Sequence, residues 1–376
     1  MADSPSDFCI LNGSVDSRLS DVERLTMVGG RGLDRVLGRL AKSLGQVSLQ
    51  SYAPSLNFAL LRERGQYLQS LRDAGRLEVL FEKPSVTHTP EVTQVHGFPD
   101  GAVFDLKFAS PFPNPTLDLD PNYKLIEENA SSFVRLWSHS DSIQERLTVV
   151  GIHGWTMGDQ RANSLAFLPG ILYRLGFDVA LVELPFHGRR MPIKAGIEGP
   201  LFPSVDPVRT CIAIAHALHD LRVLRSYLES KGAKRVATVG MSLGAYVGAV
   251  WASRDVLDKA LFLVPMFSMG DMAWSLVSSG GEVNGIDRDF LKGLYQDHCP
   301  YNTLPATPQN QMLVIGGEGD HLVPTAQISE LQSKWTDVRL RWVRGGHSAV
   351  TNREDTFLEI VRFLTNTPSN SDGVST

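Results

Sequence analysis

The chain has 376 residues, 43% of them hydrophobic and 20% charged, enough to build a large buried core and unlike the composition of a disordered polymer. The 36 Lys and Arg against 41 Asp and Glu leave a net charge of −5 with no basic arm or acidic tail, which argues against nucleic acid as the main partner. Cys9, Cys211 and Cys299 are too few and too far apart for a disulfide framework, and no Cys/His spacing suggests zinc or another metal. The N-terminus has neither the basic nor the apolar region of a secretory signal. The apolar runs at 147–152 and 260–265 are one strand long, against the roughly 20 residues that span a bilayer, so no transmembrane segment and a cytoplasmic location are expected.

Along the chain, apolar residues recur at helical spacing in two early stretches, Val22 to Leu44 and Leu56 to Leu71, with Arg, Glu and Lys between them. Residues 82–100, with Pro84, Pro90 and Pro99, read as a linker or extended loop, so 1–100 is taken as a helical N-terminal extension. From 101 to 366 the pattern alternates. Short β-branched runs fall at 102–108, 132–137, 147–152, 177–183, 235–240, 259–265, 311–316 and 338–343, and helical stripes at 207–230 and 353–365. Such alternation predicts an α/β class with a mostly parallel sheet covered by helices, the first two of these strands pairing antiparallel. Two long insertions break the rhythm, a Gly/Pro-rich loop at 184–206 and a Met- and aromatic-rich segment at 266–308, the latter a candidate cap. The polar tail, 367–376, is expected to be frayed.

The sharpest motif is Gly240-Met241-Ser242-Leu243-Gly244, where a β-run enters and a small-residue helix, AYVGAVWA, leaves. G-x-S-x-G in strand–turn–helix context projects a serine from a tight turn at a helix start, where developing negative charge is favoured. A serine needs a base, and the base an orienting acid. MLVIGGEGDHLVP (312–324) reads as an apolar strand ending in a turn that offers Glu318 and Asp320, of which Asp320, farther out and before the next helix, is preferred. RLRWVRGGHSAV (339–350) reads as another strand, ending at Gly345-Gly346-His347, the candidate base; His321 adjoins the acid but is expected to point elsewhere. All three sit just after strands, hence on one edge of a parallel sheet. His153-Gly154-Trp155, after the strand at 147–152, can supply an amide donor to an oxyanion from either Gly154 or Trp155, beside the Leu243 N–H, with His153 read as a structural hydrogen bonder.

GMSLG, the GEGD turn, GGH and HGW, in this order, resemble the α/β-hydrolase superfamily over residues 101–366, and ELPFHGRRMP resembles a loop that many members carry after their fourth strand. The resemblance implies a doubly wound eight-stranded sheet with helices on both faces, a cap inserted after the sixth strand, and no metal or organic cofactor. By motif match it gives Ser242, Asp320 and His347 the roles of nucleophile, acid and base. The function expected is serine-dependent hydrolysis of a carboxylic ester or related acyl bond in a small molecule. Acyl transfer, peptide cleavage or C–C hydrolysis with the same residues, or a non-catalytic binder, are the alternatives. Met266, Phe267 and Trp274 are candidates for a pocket that takes a hydrophobic group, and Arg189, with Arg190 beside it, for gripping a carboxylate or phosphate.

Overall fold

The computed structural model describes residues 58–84, 89–112, 123, 126–140, 146–193, 199, 201–204, 206–277, 286–347 and 353–366. Helix α1 (Phe58–Asp73) and the single turn α2 (Arg76–Val79) precede the sheet. Strands β1 (Glu91–Phe98), β2 (Gly101–Ala109) and β3 (Ser131–His139) form its antiparallel end. Then come β4 (Leu147–Ile152), α3 (Gln160–Phe167), α4 (Pro169–Arg174), β5 (Asp178–Val182), α5 (Pro207–Ser230), β6 (Arg235–Met241), α6 (Leu243–Arg254) and β7 (Lys259–Leu263). Among the described residues, α7 (Met269–Val277), α8 (Arg288–Leu294) and three 3₁₀ turns lie between β7 and β8 (Met312–Gly317), followed by α9 (Ala326–Lys334), β9 (Arg339–Val343) and α10 (Arg353–Thr365).

The strand order is β1-β2-β3-β5-β4-β6-β7-β8-β9, parallel from β5 to β9 and antiparallel elsewhere. All eight expected strands are present, and the first two of them, β2 and β3, pair antiparallel. The sheet nevertheless has nine strands. The additional one, β1, lies in the stretch read as a linker and pairs with β2 along a register broken at Val95. Residues 22–44, expected to be helical, and the tail 367–376 lie outside the described residues, and α1 occupies the second early stretch.

Alternation within the strands divides the core between the two faces. Val150, Ile152, Ala180, Val182, Phe262 and Val314 face α5, α6 and the apolar side of α1. Val149, Val179, Leu181, Val239, Leu261 and Ile315 face Phe167 of α3, Leu172 and Tyr173 of α4, and Phe363 and Leu364 of α10. Every residue of β4, β5 and β8 is buried as a result. Among the described residues no helix is long and apolar enough to cross a membrane.

Candidate active site

The turn between β6 and α6 is tight for a reason visible at its glycines. A Cβ on Gly240 would lie 2.3 Å from the Gly244 carbonyl oxygen and 2.6 Å from Ala245 Cα, and one on Gly244 would lie 2.0 Å from the Ile152 oxygen. The elbow therefore folds back on itself and seats against the end of β4. Ser242 between them takes φ 53°, ψ −112°, a conformation that costs an L-residue about 1–3 kcal/mol and is held by its surroundings. Its N–H donates to the Leu263 carbonyl at 3.0 Å, and its carbonyl accepts from Ala245 and Tyr246 at the start of α6.

The turns after β8 and β9 are knitted together. Glu318 N–H donates to the Val343 carbonyl at 2.9 Å and Gly319 N–H to the Gly345 carbonyl at 2.8 Å, with Gly345 at φ 139°. This brings Asp320 and His347 side by side. Asp320 Oδ1 accepts from the Leu322 and Val323 amides, which fixes the carboxylate, and Oδ2 lies 2.7 Å from His347 Nδ1. On the other side of the ring, Nε2 lies 2.8 Å from Ser242 Oγ. With Nδ1–H donating to the carboxylate, Nε2 is left as an acceptor for the Ser242 hydroxyl hydrogen bond. The imidazole and carboxylate side chains are only 8% and 5% exposed, so bulk water does not compete for either contact. Glu318 and His321 are exposed on the same turns, as expected of bystanders.

Opposite the imidazole, the loop after β4 presents its backbone. A Cβ on Gly154 would lie 3.5 Å from Ser242 Cβ, in ordinary contact, and 3.3 Å from Met157 Sδ, so the residue sits directly beside the serine. Buried His153 donates from Nδ1 to the Gly154 carbonyl at 2.8 Å and accepts the Leu184 N–H on Nε2 at 3.0 Å. Burial pushes its pKa down to about 3, so the ring is neutral and acts as a bracket. Thr156 at φ 61° turns the chain so that Met157 N–H reaches the Gly154 carbonyl, and the Trp155 indole donates to Gly199 at 2.8 Å. Leu243 opens α6, where its N–H has no intrahelical acceptor.

The model of the family described as alpha/beta hydrolase domain containing 18 matches residues 298–364, the segment carrying Asp320 and His347. Among solved structures, acetyl xylan esterase 1 from Thermoanaerobacterium sp. JW/SL YS485 is similar at 13% identity, covering 80% of this chain and 98% of its own, with a TM-score of 0.52. The acetyl xylan esterase from Paenibacillus sp. R4 is similar at 12% identity, covering 84% and 97%, with a TM-score of 0.51. The likeness to these structures shows that the chain has the α/β-hydrolase fold. No curated protein sequence matches it.

Within this fold, the residues expected to form a pocket fall differently. Phe267 is fully buried, its ring edge-on to Phe262 and its N–H bonded to Gln327, and Met266 is buried in the same core; both are packing residues rather than an open wall. Trp274 on α7 is half-buried against that core. Arg189 is not a free fork: Glu183 binds its guanidinium at 2.8–2.9 Å, Asp105 lies 3.7 Å away, and it stacks 4.3 Å from the Phe133 ring. Arg190 is fully buried and paired with Asp220 and His216. A charged pair beside Pro and Gly looks like surface in sequence; Asp220 and Asp105 come from distant parts of the chain, and only Glu183, six residues before Arg189, is close in sequence. Met157 and Glu183 were not singled out. The signals available were the proximity of Met157 to HGW and the lone acid between the apolar run VALV and PFHG.

Among the described residues no group of three or more His, Cys, Asp or Glu side chains is placed to hold a metal ion.

Proposed function

We propose that this protein is a serine hydrolase that cleaves a carboxylic ester of a small molecule. The observation that carries the reading is His347 bridging Ser242 and Asp320 by its two ring nitrogens at 2.8 and 2.7 Å. On that reading His347 Nε2 takes the proton as Ser242 Oγ attacks the ester carbonyl carbon. The oxyanion so formed accepts hydrogen bonds from the Leu243 amide and from the amide of Gly154 or Trp155. His347 then returns the proton to the leaving alcohol, which departs and leaves an acyl-serine. Water, giving its proton to the same nitrogen, attacks the acyl carbon and releases the acid and the free serine. Asp320 keeps Nδ1 protonated throughout and stabilises the imidazolium. The strained backbone at Ser242 and the helix start beneath it serve the same end, presenting the hydroxyl where negative charge develops. That the two similar structures are acetyl xylan esterases supports ester as the bond class.

The test is turnover of p-nitrophenyl esters of increasing acyl length, with labelling by a fluorophosphonate. Wild-type protein is expected to hydrolyse the short esters and to label at one site, and Ser242→Ala to lose both. Folded wild-type protein that neither labels nor turns over any ester of the series would overturn the reading.

A further inference from the structure

The loop that faces Ser242 is tied, beyond the bonds already described, to a carboxylate with no part in the chemistry described above. Glu183 directly follows β5 and is 2% exposed. Its Oε1 accepts from Gln160 Nε2 at 3.1 Å and from Arg189 Nε at 2.9 Å, and Arg189 Nη2 lies 2.8 Å away; its Oε2 accepts the Arg189 backbone N–H at 2.9 Å. Gln160 opens α3 and so ends the loop that carries Gly154 and Trp155. Arg189 lies in the loop after β5. The carboxylate thus holds the end of one loop to the body of the other.

The two loops also meet directly. A Cβ on Gly158 would fall 2.0 Å from Gly188 N, and one on Gly188 2.6 Å from the Gly158 oxygen and 2.7 Å from Glu183 Oε2, so backbone lies on backbone with the carboxylate in the seam. The Leu184 N–H on His153 closes the near end of the same seam. Arg189 is itself immobilised by Phe133 and Asp105. The Gly154–Trp155 amides are therefore referenced to the sheet at both ends, by Gly244 against Ile152 at one and by Glu183 at the other.

We propose that Glu183 is a positioning residue whose buried carboxylate clasps the 153–160 loop to the 183–190 loop and so sets the Gly154–Trp155 amides against Ser242. The catalytic part of this inference rests on the serine-hydrolase reading; the clasp itself does not. Loss of the charge leaves one acceptor oxygen for four donors and releases the loop. Displacement of an oxyanion donor by about 1 Å is enough to cost on the order of 100-fold in rate while leaving substrate binding intact.

The experiment compares wild type, Glu183→Gln and Gln160→Ala, the second removing the link to the loop while leaving the Glu183–Arg189 pair in place. Three quantities are read: amide hydrogen exchange over 153–160, kcat and KM on p-nitrophenyl acetate, and affinity for a trifluoromethyl ketone, which binds as an oxyanion. Faster exchange confined to that loop is expected in both variants. In Glu183→Gln, kcat is expected to fall roughly 10- to 100-fold with KM within about twofold, and ketone affinity to fall by the same factor as kcat. Gln160→Ala is expected to give a smaller loss with the same pattern. Thermal destabilisation of folded Glu183→Gln with unchanged loop exchange, kcat and ketone affinity would make Glu183 a purely structural residue and overturn the proposal. Wild-type protein without turnover or labelling would overturn the esterase reading instead, and the exchange data would still decide the clasp.

Discussion

Asp320 shows how much one side chain does by geometry alone. Its Oδ1 is held by two backbone amides of its own turn, which leaves Oδ2 aimed at His347 Nδ1 with little freedom to rotate. An asparagine fits the same space but presents either an amide N–H to Nδ1 or an oxygen to which the turn amides no longer both donate. In the first case the imidazole adopts the tautomer with its proton on Nε2, facing Ser242, and cannot accept the hydroxyl proton. Asp320→Asn is therefore expected to lower kcat by about 10⁴ with the fold retained, the typical effect of a wrong tautomer in such an arrangement. Ester turnover with a thermal melt as the fold control checks it; a loss under about 10-fold would show that this carboxylate does not set the tautomer. Backbone conformation makes a related statement around the site. Thr156, Phe186, Ser242 and Val264, none of them glycine, have positive φ in the segments that follow β4, β5, β6 and β7. Strain of about 1–3 kcal/mol at each is tolerated only where packing fixes the loop. It falls on one edge of the sheet, the edge that carries Ser242.

At the scale of elements, α1 has the character of an integral part of the fold. Leu61, Leu68 and Leu71 are buried, Arg64 holds Asp206 at the N-cap of α5, and Arg72 holds Asp297 through two nitrogens at 2.7 and 2.8 Å. The Asp297 hydrogen bonds raise the Arg72 pKa, as expected of a guanidinium committed to a carboxylate. Gly65 lets α8 approach so closely that a Cβ there would lie 2.8 Å from Leu294 Cδ2. Leu68→Ala is expected to destabilise the whole molecule by about 2–5 kcal/mol, read as a lower urea midpoint with an unchanged m-value. A cost under about 0.5 kcal/mol would mean that α1 is an ornament. The sequence was legible where periodicity reports burial directly. Eight strands and the long helices over 207–230 and 353–365 stand where their apolar runs are, and Ser242, Asp320 and His347 meet because each follows a parallel strand. β1 was not legible because seven of its eight residues are exposed and its register is broken at Val95, so no period-2 pattern was left to read. Phe267 and Arg189 were misread for a related reason: composition shows that a segment is apolar or charged, and only the tertiary partners, Phe262 for one and Glu183 for the other, decide what it is for.

The molecule as a whole has buried an unusual share of its titratable rings, and this sets its response to acid. Of the five buried histidines among the described residues, His153, His216, His219 and His298 are neutral, with burial pushing their pKa values down to about 3, well below normal, to about 4 and to about 4. Each is held as a neutral hydrogen bonder: His216 accepts from Arg190 on Nε2, His219 bonds the Leu80 carbonyl, and His298 bonds the Tyr246 hydroxyl. Unfolding restores a pKa near 6.5, so between about pH 6.5 and 4 the unfolded chain binds protons that the folded chain refuses. Stability therefore falls as pH falls through that window, by about 1.4 kcal/mol per pH unit for each fully refusing histidine. Asp220 works the other way, since burial raises its carboxyl pKa despite Arg190 and its earlier protonation in the folded state offsets part of the loss. Asp105, lowered by its hydrogen bonds from Arg135, adds to the loss only below about pH 4. Four rings against one carboxylate leave a net loss of stability as the pH falls below about 6.5. Urea midpoints at pH 7, 6 and 5 are expected to drop steeply and progressively. In His219→Gln, whose amide can still donate to the Leu80 carbonyl, the drop is expected to be shallower by about one proton. An identical slope in that variant would mean that His219 is protonated inside the folded protein, and with it the premise that burial keeps these rings neutral would fail.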